Sequence, residues 1–473
     1  MNKPIRADLC ILGAGSAGLS IAAGASQMGA RVVLIEADKM GGDCLNTGCV
    51  PSKSLLASAK IAKTVRSGGR YGVAAVPVID FQGVHDRVHG VIGTIAPHDS
   101  VERFTSLGCT VIQARGRFVD PTTVEAGGKL IKSRRFVVAT GSRAAVPPIP
   151  GLASIPFFTN ESIFDNIVLP AHLIVIGGGP IGCEMAQAHA RLGARVTIVS
   201  HGLILPKDDT DAAEVVRQRF VTEGISLVES AEVARVEGQS GEISVHVSNG
   251  GVESVVSGSH VLIAAGRWAN VEDLGLEAAG VSFSPKGITV DARLRSTNRR
   301  VFAAGDVAGG YQFTHLASYH AGVIIKNALF RLPAKAQPKA LPWVTYCDPE
   351  LAQVGQTEAR ARAEDPKVRI LRANFSDNDR AQTEGETAGF LKVMVAGNGK
   401  ILGATIVGSH AGELLMPWVL AISEGLKIGA VANAIAPYPT LSEVSKRAAS
   451  SYYTQTLFSS RTRALVRFLG VFG

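Results

Sequence analysis

The chain has 473 residues, of which 46% are hydrophobic and 19% charged, so it is long enough for several folded domains and too apolar for a disordered protein. Its formal net charge is +8, but the basic residues are scattered and only 6% of residues are aromatic, which argues against a nucleic-acid-binding surface. Six cysteines are too few for a secreted disulfide framework, and no apolar stretch resembles a signal peptide or a membrane span, so we expect a cytoplasmic protein.

The first predicted elements are a strand, a glycine-rich turn, a helix and a second strand, within ADLCILGAGSAGLSIAAGASQMGARVVLIEAD. Gly13, Gly15 and Gly18 have the spacing that lets the pyrophosphate of a dinucleotide reach the N-terminus of the helix. Glu36 ends the second strand, where a carboxylate accepts a hydrogen bond from a ribose hydroxyl. The segment therefore predicts a dinucleotide-binding unit.

The next motif, GGDCLNTGCVPSK, contains Cys44 and Cys49 and is open to three interpretations. A zinc site needs about four nitrogen or sulfur ligands, and the sequence has no second closely spaced Cys/His pair, so we predict no metal site. A purely structural bridge over so short a loop would constrain little of the unfolded chain. A redox pair is favoured, because Pro51 suits the first position of a helix and places Cys49 at its N-terminal end, where the macrodipole stabilises a thiolate, and Lys53 adds a positive charge.

A second glycine fingerprint occurs in HLIVIGGGPIGCEMAQAHARLGARVTIVSHG, at Gly177, Gly179 and Gly182. Two such units imply two dinucleotides. Ser200 and His201 stand where a carboxylate would end the second strand, and an acid there would repel a 2′-phosphate. The absence of the acid favours NADPH over NADH at this site.

The remaining segments predict further strands and a different C-terminal region. FVVATGSRA, VLIAAGRWAN and NRRVFAAGDVAGG are apolar strands that run into glycine, and in the last of them Asp306 could accept from a sugar hydroxyl. From about Leu341 the glycine fingerprints end, and we predict an α+β domain that forms an oligomer interface. The tail LFSSRTRALVRFLGVFG predicts a basic amphipathic helix, which we expect to pack on its own protein, with a membrane-surface helix as the alternative.

The motif GGDCLNTGCVPSK resembles the active-site signature of the class I pyridine nucleotide-disulfide oxidoreductases, a family that includes dihydrolipoyl dehydrogenase, glutathione reductase and mercuric reductase. The order of motifs from Gly13 to Glu443 is similar to that of the family. The resemblance implies a homodimeric flavoenzyme in which NAD(P)H reduces FAD, and FAD reduces a disulfide between Cys44 and Cys49.

The resemblance also implies roles for single residues. Cys49 would be the flavin-facing charge-transfer thiolate, and Cys44 the interchange thiol that meets the substrate. Lys53 would lie beside the isoalloxazine, with Glu184 as its carboxylate partner. FAD positions of the family match Glu36, Gly116, Thr140, Gly141 and Asp306, and NAD(P) positions match Val233 and Gly266.

The fold class that the resemblance implies is α/β, with two Rossmann-like dinucleotide-binding domains and a C-terminal α+β dimerisation domain. The expected boundaries are 1–150 for the first part of the FAD domain with the redox pair, 151–270 for the NAD(P) domain, 271–340 for the second, central part of the FAD domain, 341–457 for the dimerisation domain and 458–473 for the basic tail.

One position departs from the family pattern. Disulfide-reducing members carry an HPTxxE motif whose histidine, from the partner subunit, is the acid/base for the interchange thiol. Here the stretch reads PYPTLSE, which keeps Glu443 but places Tyr438 at the histidine position. A neutral phenol donates a hydrogen bond but is a poor proton acceptor near pH 7.

Mercuric reductases carry tyrosine at this position, but this sequence shows neither their N-terminal CxxC domain nor their C-terminal cysteine pair. We therefore expect electrons to pass from NAD(P)H through FAD and the cysteine pair to an acceptor of the mercuric reductase or dihydrolipoyl dehydrogenase type. Soft metal ions or quinones fit the missing histidine best. The alternatives are an efficient disulfide reductase that uses another base, and a redox-sensing FAD-binding protein without rapid turnover.

Overall fold

The computed structural model describes residues 3–472 and divides into two compact units. The first unit consists of Met1–His201 and Leu227–Gln337, and the second of Gly202–Ser226 and Pro338–Gly473. Each unit has its own β-sheets and its own apolar core.

The α-helices of the described chain are distributed over both units. In chain order they are α1 (Ser16–Gln27), α2 (Gly42–Asn46), α3 (Cys49–Ser67), α4 (Phe81–Ile95), α5 (Val101–Ser106), α6 (Pro180–Leu192), α7 (Thr210–Thr222), α8 (Thr314–Ala328), α9 (Glu358–Glu364), α10 (Asp379–Glu384), α11 (Ala411–Leu414), α12 (Met416–Ser423), α13 (Ile428–Ala432), α14 (Glu443–Leu457) and α15 (Ser460–Leu469).

The strands form parallel, mixed and antiparallel sheets in the first unit and one antiparallel sheet in the second. In chain order they are β1 (Ile5–Leu12), β2 (Val32–Glu36), β3 (Thr110–Gln113), β4 (Gly116–Asp120), β5 (Thr123–Ala126), β6 (Lys129–Val138), β7 (Ser142–Ala144), β8 (His172–Ile176), β9 (Arg195–Val199), β10 (Ser226–Val228), β11 (Glu232–Gln239), β12 (Glu242–Asn249), β13 (Val252–Gly258), β14 (His260–Ile263), β15 (Arg267–Ala269), β16 (Phe283–Ser284), β17 (Gly287–Ile288), β18 (Val301–Ala303), β19 (Pro342–Thr345), β20 (Glu350–Gly355), β21 (Arg369–Asn374), β22 (Phe390–Val395) and β23 (Ile401–Gly408).

The largest sheet of the first unit has the strand order β3-β2-β1-β6-β5-β4, and β18 also pairs with β6. Strand β1 lies in parallel between β2 and β6, so its carboxyl end leads directly into the first glycine turn. Leu9, Ile11 and Leu34 are fully buried, because helices α1 and α8 pack over this face of the sheet. A parallel strand covered on both faces requires such continuous apolar runs.

A second parallel sheet, in the order β10-β9-β8-β14, carries the second glycine turn at the carboxyl end of β8. The three-stranded antiparallel sheet β11-β12-β13 packs against it through a shared core that includes Ile174, Val236 and Val245. The observed α/β architecture confirms the predicted fold class.

The second unit is built on the antiparallel sheet β19-β20-β23-β22-β21, with Phe375, Trp418 and Val444 in its core. Lys392 is buried on the central part of this sheet, and its Nζ lies 2.8 Å from a carboxylate oxygen of each of three acids, Asp209, Asp211 and Glu358. These pairs compensate a charge whose isolation would be strongly destabilising.

The C-terminal tail differs from expectation. No residue of α15 is buried in the described chain, so this subunit does not cover the helix as expected, and packing against a second copy stays a prediction. The chain leaves α14 at Phe458, and the Ser459 side chain starts a new helix by accepting from the backbone N–H of Thr462. Within residues 3–472, no helix is both long and apolar enough to cross a bilayer.

Candidate functional site

The first glycine turn is closed at two of its glycines and open at the third. Gly13 has φ +106°, and a Cβ on it would lie 2.3 Å from the carbonyl oxygen of Ala139. A Cβ on Gly18 would lie 1.9 Å from the oxygen of Gly13, whereas the nearest atom to one on Gly15 would be 3.9 Å away, the Cα of Gly42. Only glycine fits at Gly13 and Gly18, whereas Gly15 leaves room for a ligand to approach the backbone, as a bound pyrophosphate requires.

The carboxylate of Glu36 lies at this turn, held by backbone donors. Oε2 accepts from the N–H of Ala14 at 2.6 Å, and Oε1 accepts from the N–H of Asp38 at 2.8 Å. Because each carboxylate oxygen has two acceptor sites, both oxygens can still accept from a ribose hydroxyl. The residues present at the first turn therefore fit a bound dinucleotide.

The second glycine turn repeats this construction. Gly177 has φ +127°, and a Cβ on it would lie 2.2 Å from the carbonyl oxygen of Ala264. A Cβ on Gly182 would lie 2.0 Å from the oxygen of Gly177, and a Cβ on Gly179 would meet no atom within 4 Å. The same two positions are closed and the same one is open, so this turn also fits a dinucleotide.

Backbone hydrogen bonds place Ser200 in the position that Glu36 has in the first turn. The N–H of Gly13 donates to the carbonyl of Ile35, the residue before Glu36, at 2.8 Å. In the same way, the N–H of Gly177 donates to the carbonyl of Val199, the residue before Ser200, at 2.9 Å. Ser200 is buried, whereas His201 is exposed. The strand end has no carboxylate of its own, as the sequence indicates.

A carboxylate that the sequence analysis missed lies beside this position. Oε1 of Glu232, the first residue of β11, is 3.7 Å from Nδ1 of His201. The two residues are far apart in sequence and both side chains are exposed, and a backbone hydrogen bond from the N–H of Ala231 to the carbonyl of Ser200 brings their segments together. Val233, the next residue, packs against the apolar core of this region.

The paired glycines before Cys44 explain how the cysteine segment reaches the first turn. The N–H of Gly41 donates to the carbonyl of Ala14 at 2.9 Å. Gly42 has φ +58°, and a Cβ on it would lie 2.8 Å from the Cα of Gly15. Any side chain at Gly42 would push this segment off the glycine turn, so the two glycines fix the cysteine pair next to the predicted dinucleotide site.

Cys44 lies on α2, and Cys49 is the first residue of α3, as predicted for a thiolate at a helix N-terminus. Pro51 is the third helical residue rather than the first, which the helix tolerates because backbone N–H groups of the first turn have no intrahelical acceptor. Both cysteines are free thiols in this structure, Cys44 half-buried and Cys49 exposed.

The pKa values of the two thiols are shifted in opposite directions. The hydrogen bond from Cys44, assisted by the hydroxyl of Thr314 and the charge of Lys53, lowers the pKa of Cys49 to about 6. The same hydrogen bond and burial raise the pKa of Cys44. At neutral pH the reduced pair therefore holds one thiolate, at Cys49, and one thiol, at Cys44.

Thr314, which the sequence analysis did not identify, is the third member of this cluster. Its Oγ1 lies 3.3 Å from Sγ of Cys49, at the start of α8 and 265 residues along the chain. A threonine at a helix N-terminus is common and gives no signal of its own in the sequence.

Lys53 and Glu184 are in contact, as the resemblance implies. Nζ of Lys53, one turn after Cys49 on α3, donates to Oε2 of Glu184 on α6 at 2.7 Å, and the glutamate side chain is buried. The pair joins the cysteine helix to the helix of the second glycine turn. Its role beside a cofactor stays a prediction.

Thr140 and Gly141 are held by Asn270, the residue that follows β15. The hydroxyl of Thr140 donates to the carbonyl of Asn270 at 2.7 Å, and the Asn270 amide donates back to the carbonyl of Thr140 at 2.9 Å. The N–H of Asn270 also donates to Gly141. These bonds join the segment that follows β6 to the segment that follows β15. Gly266, with φ +124°, forms the turn into β15.

Asp306 follows β18 and is half-buried, as expected for an acid at the end of an apolar strand. It accepts a hydrogen bond from the hydroxyl of Ser142, and Nε of Arg267 lies 3.8 Å from its carboxylate. Burial raises the pKa of Asp306. Ser142 and Arg267 were not identified from the sequence.

Gly116, another predicted FAD position, is buried against Ile35. A Cβ on Gly116 would lie 3.1 Å from Cγ2 of Ile35.

In the second unit, Tyr438 is 71% exposed, and its hydroxyl donates to Oδ2 of Asp379 at 3.1 Å. That hydrogen bond raises the pKa of Tyr438. Glu443 accepts from the backbone N–H of Thr440 at 3.4 Å. The phenol hydrogen is thus already donated to Asp379, a partner that the sequence analysis missed.

Within residues 3–472, no cluster of three or more His, Cys, Asp or Glu side chains could hold a metal ion.

Comparison with known proteins gives matches along most of the chain. The sequence model of the pyridine nucleotide-disulphide oxidoreductases matches residues 7–321, and that of their dimerisation domain matches residues 341–449. A mercuric reductase from Staphylococcus aureus is 32% identical over 449 residues, covering 94% of this chain and 82% of the relative. A dihydrolipoyl dehydrogenase from Thermus scotoductus is 32% identical, covering 95% of this chain and 98% of the relative.

Solved structures agree with this assignment. The Cu(II) complex of the HOCl-induced flavoprotein disulfide reductase RclA from Escherichia coli superimposes with a TM-score of 0.85 and is 27% identical in sequence. The match covers 95% of this chain and 100% of the RclA chain. With the two glycine turns and the adjacent cysteine pair, these matches show that the chain belongs to the pyridine nucleotide-disulphide oxidoreductases, flavin-dependent enzymes that use FAD and NAD(P)H.

Proposed function

We propose that the enzyme uses NADPH to reduce a soft metal ion held by Cys44 and Cys49. The observation that carries this proposal is Tyr438, at the position where disulfide-reducing members have a histidine base. Its hydroxyl already donates to Asp379, and its pKa is raised. A phenol in that state does not accept a proton at neutral pH.

The proton balance of the two reactions decides between the acceptors. Reduction of a disulfide to two thiols takes two electrons and two protons, so an acid/base must move protons at the interchange thiol. Reduction of Hg(II) by NADPH gives Hg(0), NADP⁺ and H⁺, and the product carries no proton. A site without the histidine is therefore adequate for a metal ion and poor for a disulfide.

The cofactor positions follow from the two glycine turns. Gly13, Gly15 and Gly18 would hold the pyrophosphate of FAD, with Glu36 on its ribose, and the second turn with Ser200 and His201 would hold NADPH. When bound, FAD supplies the exchange of two electrons between the nicotinamide and the cysteine pair. The domain boundaries given above and a homodimer formed through residues 341–449 complete the proposal, supported by the dimerisation-domain match.

The protein's own groups prepare the sulfur atoms. Thr314 and Lys53 stabilise the thiolate of Cys49, and Glu184 fixes the orientation of the lysine. Cys44 keeps its proton until a metal ion displaces it, and soft ions prefer thiolate ligands. The names of the mercuric reductase relatives and the Cu(II) complex of RclA support an acceptor of this class.

A second candidate is a dihydrolipoyl dehydrogenase or disulfide reductase that uses another base. It is supported by the Thermus scotoductus relative, which this chain covers almost completely. In that case the carboxylate of Asp379, which accepts from the Tyr438 hydroxyl, is the group that would replace the histidine.

An acceptor panel tests the proposal. NADPH oxidation is measured anaerobically with mercuric ion as a thiol complex, cupric ion, a quinone, lipoamide and glutathione disulfide. We expect the metal ions to be reduced at least about tenfold faster than either disulfide, and the Cys44→Ser variant to lose metal reduction while retaining quinone reduction. Lipoamide as the fastest acceptor would refute the proposal, and metal reduction unaffected by Cys44→Ser would refute the role of the pair.

Nucleotide preference gives a further prediction. NADPH should be used at least as well as NADH, because no carboxylate occupies Ser200. In Ser200→Glu, the new carboxylate would accept a hydrogen bond from the N–H of Gly178, as Glu36 accepts one from the N–H of Ala14, and it would repel the 2′-phosphate. We expect the NADPH/NADH ratio of kcat/KM to fall at least about tenfold, equivalent to about 1.4 kcal/mol.

Ser200→Gln is the matched control, because it adds the same bulk without charge and should change the ratio little. A strong preference of the unmodified enzyme for NADH would contradict the prediction, and Glu232, beside His201, would then be the carboxylate to replace next.

A further inference from the structure

The tail helix α15 presents an uncovered apolar stripe. Leu465, Phe468, Leu469 and Phe472 recur at the spacing of one helix face, and they are 55%, 60%, 54% and 72% exposed. The rings of Phe468 and Phe472 lie 5.3 Å apart, centre to centre, so the stripe continues into the turn after the helix. Four large apolar side chains in one exposed row are an interaction surface rather than scattered surface residues.

The opposite face of the same helix is cationic. Arg463 and Arg467 are one turn apart and face away from the stripe, whereas Arg461, one turn before Leu465, lies at the N-terminal end of the stripe itself. No acidic residue follows Glu443 in the sequence. Within residues 3–472, none of these three arginines forms an ion pair, so their charges are available to an anionic partner.

The position of the helix argues against two other occupants of the stripe. The subunit itself does not cover it, since no residue of α15 is buried. The dimerisation-domain match ends at residue 449, before α15 begins at Ser460, so the helix lies outside the part of the chain that the family shares for subunit contact.

We infer that α15 docks the enzyme on the surface of an anionic lipid bilayer. A helix of ten residues is about 15 Å long, half the thickness of a bilayer core, so it lies in the interface and does not span it. An apolar face that carries aromatic residues and an arginine-rich opposite face are the features of such interfacial helices. The break at Phe458 and Ser459 separates α15 from α14 and leaves the stripe free to meet a flat surface.

Flotation of the full-length, FAD-loaded enzyme with vesicles tests this inference. Vesicles of phosphatidylcholine alone are compared with vesicles in which a third of the lipid is phosphatidylglycerol, at low and at high salt. We expect binding to the anionic vesicles that weakens as salt screens the arginines. Equal binding to both compositions, or binding to neither, would refute the inference.

Two tail variants and one control assign the effect to α15. The Leu465→Ser/Phe468→Ser and Arg463→Gln/Arg467→Gln variants should each reduce partitioning to anionic vesicles at least about tenfold, with unchanged flavin content and NADPH oxidation. Val252→Ser removes an equally exposed apolar side chain on β13 and should leave binding intact. If the tail variants instead change the oligomer mass measured by light scattering without lipid, the stripe is a protein contact and the lipid inference is wrong.

Discussion

Replacement of Cys49 by serine is expected to abolish the long-wavelength absorbance that NADPH produces anaerobically in the unmodified enzyme, with FAD still bound. The absorbance requires a thiolate next to the oxidised flavin, and Cys49 is the sulfur whose pKa is lowered to about 6. Turnover with every acceptor that needs the cysteine pair should fall about a thousandfold or more. Anaerobic titration followed by absorbance measures both the band and the flavin content.

The Cys44→Ser variant is the matched comparison. It leaves Cys49 without a disulfide partner, so the thiolate should be present before any reductant is added and the absorbance should appear in the oxidised enzyme. If Cys49→Ser retains the band and Cys44→Ser loses it, the roles of the two cysteines are reversed. If the unmodified enzyme is reduced directly to colourless flavin, the proposed relay is wrong.

The same band reports how the thiolate is stabilised. Because the folded-state pKa of Cys49 is lowered, the band should be present at pH 7 and disappear as the pH falls through about 6. Thr314→Val removes a hydroxyl donor, so the midpoint should rise by about one to two pH units, given the usual strength of a hydrogen bond to a charged group. Ser318→Ala, one turn further along α8, should not move it.

The parts of the site that the sequence predicts are those whose reasons are local. Glycine is required at positions 13, 18, 177 and 182 because the residue has a positive φ or because neighbouring backbone atoms leave no room for a Cβ. The glycine at each position is itself the sequence signal of such a requirement. Cys49 at a helix N-terminus is local in the same sense. The contact between Lys53 and Glu184 was available only through the resemblance to the family, since 131 residues separate them.

The parts that were missed are set by packing between distant elements. Thr314 contacts Cys49 because α8 begins next to the N-terminus of the cysteine helix, and Asp379, at the start of α10, accepts from the Tyr438 hydroxyl. Hydroxyls and carboxylates of this kind occur throughout a chain, so no pattern distinguishes these two. The expected cover of the tail helix by its own subunit was not found for a related reason: periodicity tells which face of α15 is apolar but not what covers that face.

Replacement of Tyr438 by histidine is expected to convert a slow disulfide reductase into a faster one. General acid/base groups contribute about a hundredfold to ten-thousandfold in rate, and the unmodified enzyme should lack most of this factor with lipoamide or glutathione disulfide. Glu443 is retained to orient an imidazole, so Tyr438→His should raise disulfide turnover at least about tenfold while leaving reduction of the flavin by NADPH unchanged.

The controls separate the base from the pocket. Tyr438→Phe removes the hydroxyl and its bond to Asp379 without adding a base, so disulfide turnover should stay low. Tyr438→His combined with Glu443→Gln should lose most of the gain, because the imidazole is then no longer oriented by a carboxylate. Dihydrolipoamide turnover by the unmodified enzyme at the rate of an efficient dehydrogenase would contradict the assignment. Asp379, or another group, would then be moving the proton of the interchange thiol, and the preference for metal ions would lose the observation on which it rests.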